Sequence, residues 1–446
     1  MRRVVVVGGG LAGIAAALEC ADAGASVTLL EARPRLGGAT FSVERDGLWL
    51  DNGQHVFLRC CTAYLGLVRR LGAEDDVVLQ PRLAIPVLAP GGTTAWLRRT
   101  GLPPPLHLAG SLLRYRHLSL RDRVRLGPAV LALRRLPLGD PALDDQTFGE
   151  WLAAHGQSVG SVEALWDLIT LPTVNLHARD ASLALATKVF QTGLLEQADA
   201  ADVGYARVPL QRLHGDAAER ALGVAGVAVH AKSRIAALAA AGSGVAVSWS
   251  GGTLEADAVI LAVPPEDAIE LLPPGALPSG VEAARLGTSP IVNLHVVYDR
   301  KVTDLPFAAG VRSPVQWVFD RTSSSGLAEG QCLAVSLSGA EQYVSRSVEE
   351  LRAEFVPALA ALFPRAGDAE VVSFFVTREP RATFRGVPGT GRHRPPPETR
   401  VPGLYLAGAW TDTGWPATME GAVRSGLAAA RAALGAGSGV RELAAA

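Results

Sequence analysis

The chain is 446 residues long, 48% hydrophobic and 19% charged, with a formal net charge of −1. That length allows about three domain-sized pieces with substantial cores, and the balanced charge leaves no global field to attract nucleic acid, so any preference for a charged surface must be local. The four cysteines include the adjacent pair Cys60 and Cys61. Neither a secreted-type disulfide framework nor metal-ligand spacing appears, which makes a reducing cytoplasm the expected compartment. The chain enters a strand within three residues without a cleavable signal, and no apolar stretch reaches the ~20 residues that cross a bilayer, so only peripheral membrane contact is expected.

The apolar run Val4 to Val7 reads as a buried strand that breaks at Gly8. Gly8, Gly10 and Gly13 then have the G-x-G-x-x-G spacing, which gives a tight turn, close backbone approach to a pyrophosphate, and close helix-on-strand packing. A helix from Leu11 to about Ala23 aims its N-terminus, with the free N–H groups of its first turn around Leu11 and Ala12, at that pyrophosphate. A second strand, Ser26 to Leu30, ends in Glu31, where a carboxylate can accept both hydroxyls of an adenosine ribose and would repel a 2′-phosphate. Directly after it come Ala32, Arg33, Arg35 and the doublet Gly37-Gly38, then Ala39; the two glycines let the backbone pass close to a bound cofactor.

Val43 to Leu58 reads as extended structure carrying Asp51, Asn52, Gly53, Gln54 and His55, followed by a helix at about Thr62 to Leu71. From Pro81 the texture changes to Pro-rich turns, basic segments and helical stretches such as Thr147 to His155 and Val162 to Ile169. Gly156 to Gly160 matches G-x-S-x-G but follows no strand, so it is a turn rather than a hydrolase elbow. Near Val208 the texture reverts. Val224 to His230, Arg234 to Leu238, a Gly242-Ser243-Gly244 turn and Val245 to Ser250 suggest a small meander. Asp257 to Val263 is an apolar strand. Strands at Ile291 to Tyr298, Val315 to Phe319 and Cys332 to Leu337, with a helix at Val348 to Leu362, would floor a second domain. Gly403 to Ala407 is a last strand, Thr418 to Leu434 a last helix, and Gly435 to Ala446 a frayed tail. Val4 to Val7, Asp257 to Val263 and Leu404 to Ala407 are expected as three parallel strands of one sheet. The fold class is α/β (α+β overall): a Rossmann-like dinucleotide domain from residues 1–80, 205–285 and 395–446, interrupted by a mixed sheet-plus-helices domain from 81–204 and 286–394.

The segment GLYLAGAWTDTGWPATMEGAVRSG supplies a strand, Gly408, a turn through Gly414 and Pro416, and a helix starting near Thr418. That helix start, with N–H groups at Met419 and Glu420, suits the negative charge of a reduced flavin ring, worth about 0.3 to 1 kcal/mol from the dipole. Together the N-terminal fingerprint, Gly37-Gly38 and this segment resemble the FAD-dependent amine oxidase and carotenoid desaturase superfamily. LDNGQHVF, LPTVNLHARDAS, VPLQRL and LAGAWTDTGWPATMEGAVRSG are similar, over nearly the whole chain, to one branch of it, the squalene-associated FAD-dependent desaturases or hydroxysqualene dehydroxylases. The resemblance implies a bacterial enzyme of squalene and hopanoid formation that uses reduced FAD to replace the hydroxyl of hydroxysqualene with hydrogen. It also implies cofactor contacts at Gly53, Gln54, His55 and Val229.

Two positions depart from the superfamily pattern. Ala409 stands where Asp or Glu usually bonds the ribityl chain, and Ala39 stands where Arg is common. Each removes a charged partner worth on the order of 1.5 to 3 kcal/mol, and Asp412 is the expected substitute for the first. No cysteine lies beyond Cys332, so FAD is expected to be non-covalent.

Dehydroxylation needs a proton for the departing oxygen, and His55, with Asn52 and Gln54 beside it, is the expected donor cluster. Asp412 and Trp410 form a second candidate cluster. Because a C30 polyprene gains on the order of 20 kcal/mol by leaving water, the substrate is expected to arrive from a bilayer. Arg98 to Arg135 carries nine arginines against the single acid Asp122 among Leu-rich segments, a composition suited to an interfacial helix pair on anionic lipid. Association with the enzymes that supply hydroxysqualene belongs to the same expectation. The rival readings are a polyprene desaturase, an amine or protoporphyrinogen oxidase, for which Lys188, Lys232 and Lys301 occupy no convincing place, and a prenyl carrier without flavin. Neither metal nor nucleic acid is expected.

Overall fold

The computed structural model describes residues 1–241 and 244–435. Distant segments assemble one five-stranded parallel sheet in the spatial order Ala228–His230, Ser26–Leu30, Arg3–Val7, Ala258–Leu261, Leu404–Leu406. Val4 to Val7 and Ala258 to Leu261 are buried on both faces, as strands of an all-parallel sheet covered on both sides must be. The three segments expected to be parallel neighbours are adjacent, and all five strands end on one edge.

Small residues allow the covering helices to approach closely. Leu11–Asp22 packs against Met419–Leu434, where a Cβ on Gly426 would lie 2.0 Å from the Ala12 carbonyl oxygen. The strand Ala228–His230 belongs to this sheet rather than to a meander, because its backbone pairs with Ser26–Leu30. The meander is instead Ile235–Ala241, Gly244–Trp249 and Gly252–Ala256. Of its expected first turn, Gly242 and Ser243 lie outside the described residues, as does the tail beyond Gly435.

A second, seven-stranded sheet runs Val371–Thr383, Ser289–Tyr298, Gln331–Ser338, Trp317–Asp320, Phe307–Gly310, Ala84–Ala89, Thr93–Arg98. It thus joins a segment before residue 100 to one after 288. One face buries Leu294, Val296 and Val335 against Leu351, Phe355 and Leu359 of the helix Val348–Leu362, which starts at a reciprocal Ser347/Glu350 capping box. The helices between residues 106 and 195 bury a separate cluster around Phe148, Trp151, Trp166 and Phe190. The division expected at residue 204 falls inside the strand Val203–Ala206, which pairs with Phe57–Leu58 and Val77–Leu79. That small sheet ties the two larger ones together beside Asp51 to His55.

Candidate active site

The glycine loop has the geometry that a phosphate-binding turn requires. Gly8 has φ of +104°, and a Cβ there would sit 2.3 Å from the Ala262 carbonyl oxygen; one on Gly13 would sit 1.8 Å from the Gly8 carbonyl oxygen. The second doublet packs directly onto the first loop: Gly37 donates its N–H to Gly9 at 2.9 Å, and a Cβ on Gly38, at φ +58°, would lie 2.7 Å from Gly10 Cα. Leu11 and Ala12 bury their side chains while their N–H groups open the helix toward this loop. The sheet's carboxyl edge therefore presents two interlocked glycine turns where a ligand sits in open α/β sheets.

Glu31 is buried, with Oε2 accepting from Gly9 N at 2.6 Å and Oε1 from Arg33 N at 2.7 Å. Each oxygen keeps a second lone pair, so the carboxylate is oriented and still able to accept a ribose hydroxyl. Val229 lies on the edge strand beside it. Arg35 stacks on Phe41, 3.5 Å from the ring centroid, and bonds the Gly38 carbonyl at 3.1 Å; Ala32, Arg33 and Ala39 are exposed.

The C-terminal segment closes the same edge. Gly408 has φ of +140°, Pro416 and Met419 are buried, and Thr418 caps the last helix through its hydroxyl, which accepts from Gly421 N at 3.2 Å. The N–H groups of Met419 and Glu420 have no intrahelical partner by position. The Glu420 carboxylate caps another helix, accepting from Ala63 N at 3.2 Å and Tyr64 N at 2.7 Å while holding Arg424 at 2.6 Å. Arg394, buried and stacked on Phe384, bonds the carbonyls of Ala409, Trp410 and Thr411. Desolvation pulls its pKa down to about 10. It is this arginine, invisible in the motif, that fixes the turn whose usual acid is replaced by Ala409.

The second candidate cluster, Asp412 and Trp410, belongs to this same turn. Asp412 is exposed, with Oδ1 accepting from Gly414 N at 3.3 Å. Trp410 is a core residue, donating to the Val263 carbonyl at 2.9 Å. Lys188, which had no place in the sequence, lies 5.0 Å over the ring of Trp415 in this turn.

The segment Asp51 to His55 runs between the glycine doublet and the second sheet. Asn52 has every side-chain group occupied: Oδ1 accepts from Phe41 N, and Nδ2 donates to Ala39 O and to Glu379 Oε1. With both amide hydrogens engaged, it orders the loop and has no N–H left to donate, which removes it as a proton-donor candidate. From the strand Ser289–Tyr298, Asn293 and His295, two residues apart and so on one face, bond the carbonyls of Asn52 at 2.9 Å and Asp51 at 3.1 Å. Asp51 forms a buried ion pair with Arg321 at 2.7 Å. Gln54, His55, Asp51, Arg321, Tyr205 and Phe319 border a small cavity. A Cβ on Gly53 would lie 3.1 Å from His55 Nε2, so this glycine leaves room for the imidazole.

Burial, partly offset by Asp51, pulls the pKa of His55 down to about 4. Burial does the same to His295, also to about 4, and burial with His55 nearby takes His214, which accepts from or donates to the Tyr64 hydroxyl at 2.8 Å, to about 3. The unfolded chain therefore binds more protons than the folded one between these values and the ordinary pKa of 6.5. Stability is fully present above pH 6.5 and is lost as pH falls through that window. Urea midpoints of the flavin-loaded protein should fall steeply from pH 7 to 5, and His214→Gln should flatten that slope by about one proton; an unchanged slope would show that His214 is not held neutral.

Buried Gln54 Nε2, Asn293 Oδ1 and Arg321 Nε have no partner among the described residues. The doubled glycine cradle and the free helix N-termini fit the ribose and phosphates of a dinucleotide. The described residues hold no cluster of three or more potential metal ligands, and all four cysteines are free thiols. No described helix is long and apolar enough to cross a membrane.

Comparison with known proteins adds three findings. The family model described as flavin containing amine oxidoreductase matches residues 11–434. A hydroxysqualene dehydroxylase of Rhodopseudomonas palustris is 32% identical, covering 98% of this chain and 99% of its own, and a 15-cis-phytoene desaturase of Glycine max is 27% identical over 96% of this chain and 79% of its own. Among solved structures, a putrescine oxidase redesigned in its cofactor binding has the same fold, with TM-score 0.71 at 22% identity, covering 98% of this chain and 99% of that one.

Proposed function

The chain belongs to the flavin containing amine oxidoreductase family and is an FAD-dependent oxidoreductase, and from that premise we propose that it replaces the hydroxyl of an allylic polyprenyl alcohol, hydroxysqualene, with hydrogen to give squalene. The observation that carries this reading is the cavity bordered both by the polar groups Gln54, His55 and Arg321 and by the apolar Val56, Leu210 and Phe319. Simple desaturation of a hydrocarbon has no use for such a polar wall. The name and full-length match of the Rhodopseudomonas palustris relative support the same choice.

When bound, reduced FAD supplies the hydride. The chain's own residues hold the cofactor, through Gly8, Gly10, Gly13, Glu31, Gly37, Gly38 and the Met419–Leu434 helix start, and manage the departing oxygen. His55 is assigned the proton. Because its pKa lies at about 4, the protonated fraction falls about tenfold per pH unit above that value, so the single-turnover rate of dehydroxylation should rise about tenfold per unit from pH 7 to pH 5. His55→Ala should keep FAD bound and lose that slope; a variant with unchanged rate and slope would remove His55 from the chemistry. Product analysis after anaerobic incubation with reduced protein separates the readings: squalene from hydroxysqualene supports dehydroxylation, and new double bonds in squalene or phytoene support the desaturase.

The substrate is assigned an entry from a lipid surface. Leu113, Leu120 and Val124 are 66%, 76% and 77% exposed, beside exposed Arg114, Arg116, Arg121 and Arg125. Only one full helix, Leu120–Arg134, stands where a pair was expected; Ala109–Leu113 is a single turn. Arg123 ties the two by bonding the carbonyls of Leu113 and Leu118. At about 1 kcal/mol per basic residue on anionic lipid, phosphatidylglycerol vesicles should float the protein, and Leu120→Glu with Val124→Glu should release it. Flotation indifferent to anionic lipid and to salt would contradict a basic docking face.

A further inference from the structure

The cavity beside Gln54 and His55 measures about 10 Å³, room for one oxygen-sized group. Its polar wall is rich in donors and short of acceptors. Three hydrogen bonds fix the Arg321 guanidinium, to the Ala206 carbonyl at 2.6 Å, the Val208 carbonyl at 3.3 Å and Asp51 Oδ2 at 2.7 Å, and leave over one Nη1–H and its Nε–H, the latter without any partner. The Gln54 amide nitrogen is a second buried donor without a partner. The Tyr205 hydroxyl makes no hydrogen bond among the described residues. Asp51, the one carboxylate on this wall, is already engaged by Ser42, Leu210 N and Arg321. Buried donors left unpaired are costly, and a cavity of this size with this imbalance calls for a single acceptor oxygen.

We propose that this cavity is the seat of the substrate's hydroxyl: Arg321 and Gln54 donate to its oxygen, Tyr205 adjoins it, and the fixed guanidinium faces the negative charge that develops as the carbon–oxygen bond breaks. The assignment rests on the dehydroxylation reading and adds to it the residues that tell an alcohol from a hydrocarbon. An aromatic cluster adjoins the cavity through Tyr205 and Phe319. Tyr205 and Phe319 each stand against Phe307, at 5.9 and 6.0 Å between ring centroids, and Trp317 stacks on Phe319 at 6.2 Å. Leu108 packs on the same cluster, two residues from Leu106, which is 55% exposed on the basic, apolar face. With the hydroxyl seated there, the carbon that bears it lies beside the Tyr205 and Phe319 rings, which favour cationic character at that carbon, and its hydrocarbon tail would run past Leu108 toward the lipid-facing segment.

A site built to bond a substrate hydroxyl rejects the analogue lacking it, because its buried donors are then unpaired. The test is a titration of the oxidised, FAD-loaded protein with hydroxysqualene and with squalene in the same detergent, read from the flavin absorbance, so that binding is measured without turnover. The wild-type protein should bind the alcohol about a hundredfold more tightly than the hydrocarbon. Arg321→Lys, which keeps the charge but loses the Nε–H, should reduce that ratio by about tenfold or more while leaving the affinity for squalene unchanged, and so should Gln54→Leu; Tyr205→Phe should reduce it less. Yellow, folded variants that keep the full ratio overturn the seat, and if Arg321→Lys fails to fold, an unchanged ratio in Gln54→Leu does so alone. Failure of the reduced wild-type protein to make squalene overturns the parent reading and the seat with it. Squalene formation with undiminished ratios overturns the seat only.

Discussion

Gly13→Ala should yield a protein that no longer retains FAD through gel filtration, with an affinity weakened on the order of a hundredfold or more. The added Cβ would stand 1.8 Å from the Gly8 carbonyl oxygen and 3.0 Å from its carbon. Both are backbone atoms of the turn, so no side chain can swing away, and the strand–turn–helix junction must open. Overpacking of this kind costs about 1 to 3 kcal/mol when a core can adjust, and the cost here falls on the helix N-terminus that meets the pyrophosphate. The internal control is Gly66→Ala in the helix Thr62–Arg70, where an added Cβ meets nothing within 4 Å. That substitution should stabilise the protein by about 0.5 to 1 kcal/mol through helix propensity and leave FAD binding untouched. Equal FAD affinity in the two variants would show that the turn is not the phosphate site.

Asp51→Ala should be the most damaging substitution for the stability of the whole fold, at about 3 to 5 kcal/mol in urea unfolding of the flavin-loaded protein. Asp51 and Arg321 are both under a tenth exposed, so removing the carboxylate leaves a buried guanidinium without a counter-charge and strips the Leu210 N–H and the Ser42 hydroxyl of their acceptor. These partners come from three separate stretches of chain, and the pair ties the strand Ser42–Arg45, the residue that follows the strand Trp317–Asp320 and the turn after Ala206 into one unit. The double variant Asp51→Asn with Arg321→Gln removes both charges and should recover a substantial part of the loss. A double variant no better than the sum of its singles would contradict coupling between the two groups.

What the sequence made legible follows from range. The strand Val4 to Val7, the glycines to Gly13, and the helix to Asp22 are contiguous, and their periodicity and turn chemistry are local properties; their limits shift by only a residue or two in the structure. The same holds for the capped helix Val348–Leu362 and for the last helix, whose N-cap hydroxyl announces itself in Thr418. The parallel alignment of Ala258–Leu261 and Leu404–Leu406 with the first strand was legible because both are short apolar runs stopped by turn residues, the pattern of a buried parallel strand.

The candidate site was legible only on one side. His55 and Gln54 stand in a recognisable segment, but Asn52 beside them proved to be a structural tie, since its partners Phe41, Ala39 and Glu379 are set by tertiary contact. Arg321, Asn293 and His295 reach the same place from a sheet whose strands are separated by hundreds of residues from Asp51, and nothing in local spacing signals that meeting. Arg394 was hidden for the same reason: its acceptors are main-chain carbonyls, which carry no sequence identity.

The reaction itself is decided by one anaerobic single-turnover measurement. Protein reduced to one equivalent of two-electron flavin is mixed with hydroxysqualene; the flavin absorbance and the organic products are followed together. Dehydroxylation requires the yellow oxidised spectrum to return with one squalene formed for each flavin reoxidised, while squalene in place of the alcohol leaves the flavin bleached. A flavin that stays bleached with hydroxysqualene, or that recovers without squalene, contradicts the assignment.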